Sequence, residues 1–137
     1  ANRAIAGFTT LFWNPDRNSL YDVIRPGFRD PKIRPNQLFA LSLPYPLVVR
    51  SKAELILDTV ERHLLTPYGL RTLSPQDPHY RPRFEGGPEQ RDSAYHQGTV
   101  WPWLLGPYIR ASLRTRGRSP QELARCRQLL NPLLDSL

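Results

Sequence analysis

A chain of 137 residues, 39% apolar and 23% charged, has the length and composition of one globular domain rather than a disordered segment. No apolar run reaches the length needed to cross a bilayer, and the first residues carry no signal-peptide core, so neither a membrane partner nor a secreted precursor is expected. The net charge of +7 is concentrated, with six arginines between Arg110 and Arg127 against one acid, Glu122. Nucleic-acid modules interleave aromatic rings with basic side chains, and this stretch has none after Tyr108. It reads as a solvated helical face, with no nucleic-acid partner.

In chain order, residues 1–13 place Ile5, Phe8 and Phe12 at helical spacing and read as the end of a helix. Residues 14–18 are a turn, 20–24 a short extended piece and 26–31 a loop. A helix starts near Pro35, runs over 37–43 and stops before Pro44 and Pro46. Ser51 and Glu54 form a capping box for the next helix. Its stripe of Ile56, Leu57, Val60 and Leu64 faces a core, and the turn at 66–69 ends it. Residues 70–98 are a long connection rich in Pro, Gly and charge, of the kind that carries function. A third helix is expected over 99–116, kinked at Gly106-Pro107 and closed by Gly117. A second capping box, Ser119 to Glu122, opens the last helix. That helix has Leu123, Cys126 and Leu130 on one face and a break at Pro132. Cys126, the single cysteine, reads as a small buried hydrophobe in a reducing, cytoplasmic compartment. The fold class expected from this pattern is all-α. Methionine is absent, position 1 included, and the chain closes on the apolar run from Leu133 to Leu137, so the sequence looks trimmed from a longer protein.

The densest polar and aromatic cluster runs from Arg91 to Trp103. Trp101, Trp103 and Tyr95 beside Asp92, His96 and Gln97 are what a sugar site requires: rings for the apolar face of a pyranose, planar polar groups for hydroxyls, a carboxylate for proton transfer. Ordinary core packing of the two tryptophans is the alternative. A second cluster, Arg34-Pro35-Asn36-Gln37, opens a helix, and a third runs from Tyr68 to Leu73 with Arg71 at its centre. Because the first two clusters both open helices, their polar ends are expected to converge on one pocket. His63, His79 and His96 are isolated, and there is no Gly-rich phosphate loop, so no metal and no cofactor are expected.

The run Arg34-Pro35-Asn36-Gln37-Leu38-Phe39-Ala40 resembles a motif of the bacterial-type glycogen-debranching glucosidase (amylo-α-1,6-glucosidase) family. The stretch from Leu65 to Leu73 and the signature Tyr95-His96-Gln97-Gly98-Thr99-Val100-Trp101-Pro102-Trp103 are similar to two more, in the same order. The resemblance implies an all-helical toroid of six α-hairpins, of which a chain this short supplies about two plus a long active-site loop, as its C-terminal portion. It implies hydrolysis of α-1,6-linked glucose at glycogen branch points with inversion, by two carboxyls about 6.5–9.5 Å apart. The general acid is expected upstream, so these residues alone should be inactive. Eukaryotic relatives carry Glu where this chain has Val100, which leaves the base to another carboxylate. Asp92 is the first choice, with Glu89, Glu85 and Asp22 open. Arg34, Asn36, Gln37, Arg71, Tyr95, His96, Gln97, Trp101 and Trp103 are the expected substrate-binding residues. The implied partners are glycogen or a branched α-glucan and the remainder of the parent chain. Another enzyme on the same toroid, or a non-catalytic carbohydrate- or nucleic-acid-binding piece, is the competing reading.

Overall fold

The computed structural model describes residues 2–45 and 47–135. Ala1, Pro46, Ser136 and Leu137, which entered the sequence reading as a helix end, a helix stop and an apolar terminus, lie outside the described residues. Helix α1 (Asn2–Phe12) matches the expected spacing, and Phe8 stacks on Phe12 with ring centroids 4.7 Å apart. The chain then makes two short hairpins. Strands β1 (Trp13–Asn14) and β2 (Ser19–Leu20) pair across the predicted turn, and β3 (Val23–Arg25) pairs with β4 (Phe28–Asp30), where a loop was expected.

A 3-10 turn (Pro35–Leu38) runs into the short helix α2 (Phe39–Ser42), with the proline in its tolerated first-turn position. Helix α3 (Arg50–His63) carries the predicted stripe, and Ile56, Leu57, Val60 and the following Leu64 are fully buried. Its start differs from expectation. Val49 is the N-cap and Ser51 lies inside the helix, because Glu54 turns outward to pair with Arg50 at i,i+4. Strands β5 (Leu65–Thr66), β6 (Gly69–Arg71) and β7 (Val100–Trp101) form an antiparallel sheet in that order, with Leu70 opposite Trp101 and Arg71 opposite Val100. Helix α4 (Pro88–Tyr95) sits inside the segment read as one long loop. After a second 3-10 turn (Pro102–Leu104) come α5 (Leu105–Thr115), α6 (Pro120–Gln128) and α7 (Asn131–Leu134). Gly106-Pro107 falls in the first turn of α5, so it starts a helix and does not kink one. Pro132 likewise stands in the first turn of α7.

The chain is therefore not all-α. It is 51% helical and 13% strand, with three small antiparallel sheets, and the expected pair of helical hairpins from a toroid does not describe it. The strands are two or three residues long, too short for the alternation that betrays a strand in sequence.

The core is formed by α3, the 3-10 turn at Pro35, α2, Leu70 of β6, and Leu104, Leu105, Tyr108 and Ala111. Tyr108 reaches from this core into a charged network. Its hydroxyl donates to Glu61, and Arg125 bonds Tyr108 at 3.0 Å, Ser112 at 2.7 Å and Glu122 at 2.7 Å. Arg116 bridges Glu61 and Asp58. Two of the clustered arginines are thus structural, while Arg110, Arg114, Arg118 and Arg127 are exposed. Cys126 is buried against this network, as expected of a small hydrophobe. Ser119 caps α6 by accepting from the Glu122 N–H, but the Glu122 side chain points to Ser112 and Arg125 and does not complete the capping box.

That geometry gives a pH signature. The hydrogen bond from Arg125, aided by Ser112, holds Glu122 down at about 2, from 4.5. A depressed carboxylate stabilises the fold above its unfolded value and loses that contribution as the pH falls through 4.5 toward 2. Urea titrations across this window should show wild type losing on the order of 1–3 kcal/mol that Glu122→Gln does not lose. Parallel pH curves for the two proteins would rule the assignment out.

Candidate functional site

Pro35 holds Arg34 in extended backbone, with φ −129° and ψ 159°, just before the 3-10 turn. From there the Arg34 guanidinium gathers three distant segments. It donates to the Thr72 carbonyl at 3.0 Å, to the His96 carbonyl, and to the Gln97 side-chain oxygen at 3.0 Å. Its Nε pairs with Asp22 at 3.3 Å. Asn36 donates to the other oxygen of Asp22 at 2.9 Å. Gln37 is buried and structural: it donates to the Arg34 carbonyl at 3.0 Å and accepts from the Leu20 N–H at 3.2 Å, fixing β2 to the turn.

The other side of the site is built on β6 and β7. Thr72 follows β6, donates its N–H to the Thr99 carbonyl at 3.1 Å and accepts from the Gly98 N–H at 2.9 Å. The Gln97 carbonyl accepts from Arg81 at 2.6 Å, and Arg71 donates to the Tyr80 hydroxyl at 3.3 Å. The Tyr95 ring lies 4.7 Å from Trp101 and 4.8 Å from His96, and Trp101 donates its ring N–H to the Tyr95 carbonyl at 3.3 Å. Trp103 is 60% exposed and Tyr95 is also open to solvent.

The expected convergence on one pocket is not what the structure shows: Asn36 lines a cavity with residues between 8 and 47 only, and the two motifs meet where Arg34 bonds the His96 carbonyl and the Gln97 amide. Arg34 ties together Asn36 (through Asp22), the His96 backbone and the Gln97 side chain, with Gln37 behind it, while Tyr95 and Trp101 stack as an aromatic flank and Trp103 stands exposed two residues on. Arg71 points to Tyr80 and joins this network only through its strand. Asp92 is exposed on α4, and among the described residues no hydrogen bond or ion pair holds its carboxylate. The sequence reading gave Asp22 and Thr72 too little weight. Asp22 lines a cavity of about 250 Å³ together with Phe8, Phe12, Lys32, Arg34 and Asn36. The available signal was its place in the Leu20-Tyr21-Asp22-Val23 run, just ahead of Arg34. Among the described residues, no cluster of His, Cys, Asp and Glu could hold a metal ion, and no helix is long and apolar enough to cross a membrane.

Two exposed rings, Tyr95 and Trp103, thus stand in the same stretch of chain as the His96 carbonyl and the Gln97 amide that Arg34 holds. The family model described as amylo-alpha-1,6-glucosidase matches residues 1–137, and the chain belongs to that family, as its three motifs had implied. It is 34% identical over 105 residues to the glycogen debranching enzyme of Saccharomyces cerevisiae, an alignment that covers 70% of this chain. The chain spans 7% of that relative's length.

Proposed function

We propose that the full-length protein carrying this chain is a glycoside hydrolase that removes α-1,6-linked glucose at branch points of glycogen. It does so with inversion, using a carboxylate pair of which at most one member lies in these residues. The observation that supports this best is the Arg34 junction, which draws the segments around Thr72 and His96 to one place beside the open Tyr95–Trp103 flank. In this reading the aromatic flank, with His96 and Gln97, receives the glucan chain, Asn36 meets the branch sugar, and Arg34 and Gln37 hold the frame.

The test is incubation of the full-length protein with a branched limit dextrin, with the released anomer followed by proton NMR. β-Glucose appearing first supports inverting debranching. Glucan binding with no glucose released would favour a non-catalytic carbohydrate-binding role, and α-glucose appearing first would exclude inversion. The flank gives a milder prediction. Because Trp103 is open to solvent, Trp103→Ala should weaken glucan binding about 3- to 10-fold while leaving the melting temperature within about a degree. Unchanged affinity in a binding isotherm would remove Trp103 from the glucan path.

A further inference from the structure

The cavity beside α1 has one wall of rings and one of polar groups. Phe8 and Phe12 stack on each other and Phe39 lies nearby, while Asp22, Lys32 and Asn36 supply the polar side. Such a pairing suits a pyranose, whose axial C–H face packs on rings while its hydroxyls meet planar polar groups. At about 250 Å³ it has room for one sugar unit.

Asp22 is the group in this wall with chemistry to offer. Its carboxylate is 11% exposed and fixed on both oxygens, by Asn36 at 2.9 Å and by Arg34 at 3.3 Å. Its backbone N–H is tied to Asp30 at 2.9 Å. An ionised carboxylate has about four acceptor positions, so two remain after these bonds. It is thus oriented without being saturated, whereas Asp92 is neither oriented nor enclosed.

We infer that this cavity is the subsite for the glucosyl unit that is cleaved, and that Asp22 is the carboxylate that takes the proton from the attacking water. That this cavity holds glucose stands on its lining alone, while the cleavage and the role of Asp22 rest on the hydrolase reading above. The step balances as follows: the water oxygen bonds to the anomeric carbon and its proton passes to Asp22. The bond to the leaving oxygen breaks, and a carboxylic acid outside these residues protonates that oxygen.

The experiment uses the full-length protein and three probes. With limit dextrin, Asp22→Asn should lower kcat about 10²- to 10⁴-fold with KM changed only a few-fold. With α-glucosyl fluoride, whose leaving group needs no acid, Asp22→Ala in azide should yield β-glucosyl azide: the azide nitrogen bonds to the anomeric carbon as fluoride departs. This product requires a folded site from which only the base is missing, so it separates catalysis from a structural role. D-Glucose titrated by NMR reads the cavity independently, and Phe12→Ala should weaken its binding. Near-normal kcat in Asp22→Asn, or loss of activity with no azide product, overturns the assignment of Asp22, the more so if Asp92→Asn abolishes turnover. Glucose binding in the cavity by a wild-type protein that releases no glucose would sink the hydrolase reading, and the Asp22 assignment with it, and leave the cavity as a glucose-binding site. Glucose release that Phe12→Ala leaves untouched would sink the subsite and leave the hydrolase reading intact.

Discussion

Arg34→Met should cost about 3 kcal/mol of unfolding free energy. The substitution keeps much of the side chain's apolar bulk, so the loss isolates the guanidinium. That group is 14% exposed and serves the Thr72 and His96 carbonyls, the Gln97 amide and the Asp22 carboxylate at once. Removing it leaves a largely enclosed carboxylate with only Asn36 for company, and orphaned buried charges account for most of the cost of breaking such pairs. Arg34→Lys should recover only a minor part, because an ammonium cannot span four acceptors with fixed fork geometry. Equilibrium denaturation in guanidinium chloride measures both. A loss under about 0.5 kcal/mol for the methionine variant would mean the junction is a surface arrangement with little energetic weight.

Gly98→Ala should be comparably damaging, at about 2–5 kcal/mol. Two independent costs add at this position. The backbone φ of +141° is one that side-chain-bearing residues rarely adopt. An added Cβ would also stand 2.5 Å from the Arg81 carbonyl oxygen and 2.6 Å from the Tyr80 ring. Neither neighbour yields easily, since Arg81 is tied to Gln97 and Tyr80 to Arg71. Gly117 separates the terms: its φ is +93°, but a Cβ there meets nothing within 4 Å. Gly117→Ala should therefore show only the conformational cost, about 1 kcal/mol. Equal losses for the two alanines in parallel thermal melts would show that crowding at Gly98 contributes nothing.

The parts of this fold that sequence reveals are those with long periodicity. α3 announces itself because Ile56, Leu57, Val60 and Leu64 repeat at helical spacing, and burial follows that stripe. β5, β6 and β7 stayed hidden because two or three residues cannot show a period, and β7 finds its partner about thirty residues upstream. The Ser51 and Ser119 motifs read alike, yet only Ser119 caps, since Glu54 found Arg50 and left the other helix start to Val49. At the site, the chemical types were legible and their wiring was not. Arg34, His96 and Gln97 could be singled out by residue type and motif. That Arg34 would bond the backbone of His96, and that Asp22 would complete its shell, depends on how the short hairpins fold back, which no local pattern encodes.

The contacts of Arg34 join positions 38, 62 and 63 residues apart in the chain. Closing loops of that length costs entropy before any bond repays it. Local elements such as α3 can form early, on their own turn-by-turn contacts, whereas the guanidinium has no partners until the distant segments have already docked. The Arg34 junction therefore closes after the local elements it ties together, and it marks the point at which the segments around Thr72 and His96 become one body with the N-terminal hairpins.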